Sequence, residues 1–139
     1  MNFKARFLTA TVGGLMLAGL TLLPVSAQPG EGEVLIVIRN SSFEFQGGTI
    51  RPDAPATIVI QNMDTIRHGF ASPVLERYDA EVEGPGGDVY GKGIRGVHIR
   101  PGESYYIRFT PAQPGKFSFR CDLHPKMKGE LVMLSIGAV

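Results

Sequence analysis

The sequence predicts an all-β fold, a β-sandwich or barrel in a single domain placed behind a signal peptide. Three observations carry that reading. Short period-two apolar segments recur along the chain, Gly and Pro punctuate them, and no stretch of ten or more residues holds a helical pattern. The chain has 139 residues, the size of one domain with a leader.

The leader comes first. Lys4 and Arg6 precede an apolar run from Phe7 to Leu23, followed by Pro24 and Val25-Ser26-Ala27. A basic start, an apolar middle and a small-residue cleavage motif describe a secretory signal peptide, with cleavage after Ala27 and a mature domain over 28–139. The run is short for a membrane span, which needs ~20 apolar residues, and it contains Gly13, Gly14 and Gly19. Membrane attachment is expected only through an uncleaved leader. No Cys stands at the end of the run, so a lipoprotein anchor is not expected.

In the mature domain, Val34-Leu35-Ile36-Val37-Ile38 is a continuous apolar run, short enough for a strand buried on both faces. Phe43 and Phe45 flank Glu44 before Gly47-Gly48 turns the chain. Thr57-Ile58-Val59-Ile60-Gln61 is a β-branched strand introduced by Pro52 and Pro55. From Pro73 to Gly96 the rhythm breaks. A helical turn around Val74–Tyr78 is predicted there, followed by a long acidic and Gly-rich loop. Strands return at Tyr105–Phe109, Lys116–Arg120 and Glu130–Ser135.

Composition narrows the function. Cleavage removes Lys4 and Arg6 and no acid from 14 basic and 13 acidic residues, leaving net charge −1. That balance argues against nucleic acid as a partner. Gly86–Lys92 fits a phosphate-loop pattern but continues into Gly93 rather than Ser or Thr. Gly91–Gly96 fits G-x-G-x-x-G but leads into Val97-His98-Ile99-Arg100-Pro101, which is no helix. Both patterns are by-products of Gly richness. Asn40-Ser41-Ser42 matches a glycosylation sequon, a weak signal that says nothing about mechanism.

The chemistry concentrates around the single cysteine. Cys121-Asp122-Leu123-His124-Pro125-Lys126-Met127 is a C-x2-H-x2-M run that puts a thiolate, an imidazole and a thioether on one loop. A lone Cys forms no disulfide within the chain, and metal ligation is the simplest protection for a thiol in an oxidising compartment. Soft sulfur selects copper, and one Cys, two His and a weak axial Met form the ligand set of a blue-copper electron-transfer site. His68, after the Thr57–Asn62 strand, is the candidate second imidazole. His98 lies between apolar strand residues and reads as a partly exposed strand position. Met63 and Met133 are alternatives to Met127, with core packing as the default for Met on apolar strands. Pro125 stiffens the ligand turn, and Gly129 permits a sharp return.

These residues resemble the cupredoxins, the small blue-copper proteins that include plastocyanin, amicyanin and pseudoazurin. The likeness spans about residues 33–136. It is carried by His68, Pro101-Gly102-Glu103, Pro114-Gly115-Lys116-Phe117 and Cys121-x2-His124-x2-Met127-x-Gly129. The short gap before Met127, with Pro125 after His124, is similar to the amicyanin-type loop. The resemblance implies a Greek-key β-sandwich holding one type 1 copper ion through His68, Cys121, His124 and Met127. The chain departs from the family pattern at three places. Gly69 stands where Asn often braces the Cys loop, Leu123 where Pro often sits between Cys and His, and the Pro73–Gly96 insertion is longer than in the smallest members. The first two bear on how rigidly the ligands are held, hence on spectral type and potential.

The expected function is one-electron transfer between redox proteins in the periplasm or an equivalent exported space, by a monomer. A copper carrier or store is the alternative, but such proteins favour labile, exposed Met- or His-rich sites. A copper oxidase or nitrite reductase needs a second, His-rich copper site, and only His98 remains; a binuclear thiolate centre needs two Cys. No enzymatic activity is expected. Transient docking is expected at the His124 end, ringed by Leu123, Pro125 and Phe70. Arg67, Lys126 and Lys128 would make that end locally positive.

Overall fold

The computed structural model describes residues 29–134. The expected leader, residues 1–27, lies outside the described residues. Among the described residues, ten strands and one short helix follow one another: β1 (Glu33–Arg39), β2 (Ser42–Gly47), β3 (Ala56–Asn62), β4 (His68–Phe70), α1 (Pro73–Arg77), β5 (Ala80–Gly84), β6 (Gly87–Gly91), β7 (Val97–Ile99), β8 (Ser104–Phe109), β9 (Gly115–Arg120) and β10 (Lys128–Met133).

They form the two layers of a Greek-key sandwich. One is a six-stranded sheet in the order β2-β1-β3-β8-β5-β6, antiparallel except for the parallel β1–β3 pair. The other joins the pair β4–β7 to the pair β9–β10 through a bridge between Ala71 and Arg120. Ile50 adds a single parallel bridge to Met133 at the far edge of that layer.

Alternation sorts each strand between core and surface. In β9, Phe117 and Phe119 point inward and Ser118 and Arg120 outward, and Cys121 continues the inward set. Ile36, Ile38, Ile58, Ile60 and Ile107 of the large sheet meet Phe70, Phe119, Leu131 and Ile99 of the small one. Phe119 is central, edge-on to Phe43 at 5.2 Å between centroids and tilted against Phe70 at 5.4 Å. As predicted, Val34, Ile36, Val37 and Ile38 of β1 are buried, with only Leu35 partly exposed.

Two expectations need correction. Pro73–Gly96 does not end in a long loop. After α1, capped by Ser72 with Pro73 in its first turn, the chain forms the β5–β6 hairpin, which extends the large sheet beside β8. Ala80 and Val82 enter the core while Glu81 and Glu83 face out towards Arg108, which sits 2.6 Å from the Glu83 carboxylate. The second concerns Gly129. It does not make a turn; it lies within β10 opposite Phe119, and a Cβ there would collide with the Phe119 ring. The missing side chain leaves room for the aromatic that backs the Cys121 strand.

Candidate metal centre

The site is assembled at the end of the sandwich where β3, β4 and β9 terminate or begin. Asn62, the last residue of β3, is fully buried and spends its amide on the backbone. It donates to the carbonyls of Ile66 at 2.8 Å and Ile99 at 2.9 Å, and accepts from the Asp64 N–H at 3.0 Å. One buried amide thereby shapes the 63–67 connector and ties it to β7.

That connector delivers Asp64 and then His68. The Asp64 carboxylate accepts from the Ser41 N–H at 2.8 Å and lies 3.0 Å from His68 Nε2. These hydrogen bonds, the Ser41 one foremost, hold the Asp64 carboxyl below its ordinary 3.8. An ionised carboxylate only accepts, so Nε2 of His68 donates, and in the neutral imidazole that leaves the lone pair on Nδ1. Nδ1 faces Cys121, 4.0 Å from the sulfur. A carboxylate behind an imidazole is the usual way to fix a metal-binding tautomer.

Cys121 is fully buried, and its sulfur accepts the Gly69 N–H at 3.1 Å. His124 Nδ1 lies 3.4 Å from the same sulfur, and the two imidazoles are 4.7 Å apart between centroids. The donor atoms of His68, Cys121 and His124 all lie within 4.8 Å of one another. The 121–127 loop is cinched by two backbone bonds, Cys121 N–H to Met127 C=O at 3.1 Å and Met127 N–H to His124 C=O at 2.9 Å. Met127 is 4% exposed and packs with the core at the end of this loop.

The alternatives separate on position. Met133 pairs with Gly115, at the far end of β9; at ~3.3 Å per residue that is roughly 20 Å from Cys121. Met63 is 59% exposed. His98 is outside the cluster, on β7, with its Nε2 2.7 Å from the Asp122 carboxylate. The apolar ring around His124 needs correction. Leu123 and Pro125 are exposed, but Phe70 is fully buried against Phe119. Phe70 lies two residues after His68 on a three-residue strand, so both side chains point inward. Ile66, 45% exposed, is an apolar surface residue two positions before His68.

Asn62, Asp64 and Asp122 were not foreseen. Asp64 leaves a signal only as an acid four residues before a histidine, and such pairs are common. Nothing in the local pattern marks Asn62 as a buried hub.

A family model described as a cupredoxin-like domain matches residues 13–133. The chain belongs to the cupredoxin-like family. Solved structures match this cupredoxin-like fold at low identity. A multicopper oxidase from Campylobacter jejuni is 13% identical, over 82% of this chain and 32% of its own, with a TM-score of 0.53. The chain thus spans about a third of that oxidase. An amicyanin from Paracoccus versutus is 18% identical, over 81% of this chain and 85% of its own, with a TM-score of 0.46. An oxidised amicyanin variant, also 18% identical, covers 76% of this chain with a TM-score of 0.48. No curated protein sequence matches the chain.

The role of Asp64 is testable. Asp64→Ala should weaken copper binding about 10–100-fold, the usual cost of losing a partner behind a metal-binding imidazole, measured by chelator competition. An unchanged affinity would mean that His68 is oriented by other contacts. In the copper-free protein the depressed carboxyl adds stability that is present above 3.8 and lost as the pH falls through its folded value. The stability gap between wild type and Asp64→Asn should therefore close on acidification, followed by urea melts across pH.

Proposed function

We propose that this protein carries single electrons through one type 1 copper ion held by His68, Cys121, His124 and Met127. The observation that carries the reading is the convergence of two imidazole nitrogens and one buried sulfur within 4.8 Å. The donor set fits copper: a soft thiolate and two neutral imidazoles, with a thioether available on the same loop. Bound there, copper supplies a one-electron couple between Cu(II) and Cu(I).

The chain's own residues do the rest. Asp64 holds the His68 tautomer, the Gly69 N–H supports negative charge on the Cys121 sulfur, and the two loop-closing bonds fix His124 and Met127 relative to Cys121. The donors are held by the fold itself, which keeps rearrangement small when charge changes. His68 is buried and His124 only partly so. His124 is therefore the ligand that meets a partner, beside exposed Leu123 and Pro125.

A carrier or storage role is disfavoured by this burial, since a cargo site has to open. Catalysis at a second copper is disfavoured because His98, the remaining histidine, pairs with Asp122 and joins no other donor cluster among the described residues. The leader pattern and the single cysteine support an exported compartment. Among the described residues no helix is long and apolar enough to cross a membrane.

Cu(II)-loaded wild type should show an intense visible sulfur-to-copper charge-transfer band and reversible one-electron voltammetry. Cys121→Ser should lose the band yet keep a folded sandwich by circular dichroism. Met127→Leu should stay coloured with a raised midpoint potential, because the lost thioether donated weakly to Cu(II). An unchanged potential would assign Met127 to packing alone.

Arg67, Lys126 and Lys128 are exposed and join no salt bridge among the described residues. They would steer an acidic redox partner to the His124 end. Stopped-flow reduction by the physiological partner should slow steeply with ionic strength, and Lys126→Glu/Lys128→Glu should flatten that slope. Rates indifferent to both salt and charge reversal would remove the steering role.

A further inference from the structure

The outer face of the small sheet carries a contact that the ligand set does not use. Just past the end of β9, Cys121 is buried and Asp122 is exposed. On β4 strand alternation sends His68 and Phe70 inward and leaves Gly69 facing out. Gly69 pairs directly with His98 of β7, so both positions share that outer face. The Asp122 carboxylate occupies the slot that a residue-69 side chain would fill: a Cβ on Gly69 would collide with Asp122 Oδ1. His98 Cδ2 is 3.3 Å from the same point, and His98 Nε2 holds Asp122 Oδ2 at 2.7 Å.

We propose that Asp122 and His98 are positioning residues of the metal centre, a carboxylate–imidazole clamp that seats the ligand loop on β4 through the gap left by Gly69. The inference rests on the copper reading for its effect but not for its existence. Cys121 is flanked by two fastenings to the same strand end. On one side Arg120 and Ala71 exchange backbone hydrogen bonds at 2.9 and 3.0 Å. On the other, Asp122 lies over Gly69 and is tied to the neighbouring strand by His98. Between them the Gly69 N–H reaches the Cys121 sulfur at 3.1 Å. That bond is only as short as the two fastenings are firm.

In the 2.7 Å contact the Asp122 carboxylate accepts and His98 Nε2 donates. Both side chains are partly exposed, 45% for His98 and 42% for Asp122. The pair therefore adds little to global stability. Its effect falls on the position of the sulfur.

The test uses the full domain loaded with Cu(II), with His98→Ala, Asp122→Ala, the double variant, and His98→Gln, whose amide N–H replaces the imidazole donor. Each alanine variant should lose copper to excess chelator about 10-fold faster, within the usual range for partners of a metal ligand. Each should also shift the charge-transfer band and the copper hyperfine coupling. The double variant should be no worse than either single, and His98→Gln should recover most of the wild-type spectrum. Wild-type release rates and spectra in both alanine variants, or losses that multiply in the double variant, would overturn the clamp. If wild type fails to colour with Cu(II), the copper reading falls and the clamp is judged in the copper-free protein. There the Gly69 amide should exchange hydrogen faster in His98→Ala than in wild type, and equal exchange would overturn it.

Discussion

A fully buried sulfur atom, with one backbone N–H pointed at it, is the constraint around which this end of the sandwich is built. Burying a thiol and an imidazole against an apolar core costs free energy unless each polar atom finds a partner. Here each does. Gly69 donates to Cys121, Asp64 accepts from His68, and Ser41 holds Asp64 from the β1–β2 turn. The chain of contacts therefore runs from the first hairpin to the last loop, and it brings together residues 80 positions apart in sequence between Ser41 and Cys121.

The sandwich supplies the stiffness that such a chain of contacts needs. Phe119 fills the core directly behind Cys121, accommodated by Gly129 and packed by Phe43 and Phe70. Asn62 fixes the connector that carries Asp64, and the closed 121–127 loop fixes the remaining donors. Interiors packed at this density are not continuously deformable. On the proposed copper reading, donors so mounted would keep their positions when charge arrives or leaves, which would link the packing of an all-β core to low-barrier electron exchange. The outer clamp from Asp122 to His98 extends that logic to the face the core does not reach.

Much of this was legible in the sequence, for physical reasons that can be named. The strands announce themselves because an inward–outward alternation must be written in every half-buried strand, and β9 and β10 are plain examples. Cys121, His124 and Met127 stand out because a thiol, an imidazole and a thioether on one seven-residue loop are a local pattern. His68 follows because the chain has only two other histidines. The β5–β6 hairpin was hidden by its composition: its outward positions are acidic and its turn is Gly-rich, so Ala80 and Val82 carry too little apolar signal. Phe70 was misplaced because a three-residue strand is too short to declare its parity. Asn62, Asp64 and Asp122 act through individual side-chain hydrogen bonds, one from each reaching a distant element, and no periodicity records those. Gly69 was visible as a departure, but its meaning required seeing what fills the space above it.

The account is tested most directly by copper K-edge X-ray absorption on the protein poised first as Cu(II) and then as Cu(I) at neutral pH. It predicts one close sulfur scatterer and two imidazole nitrogens in both states, with little change in their distances. A shell of nitrogen and oxygen alone, or the loss of an imidazole on reduction, would contradict a site held in place by the fold.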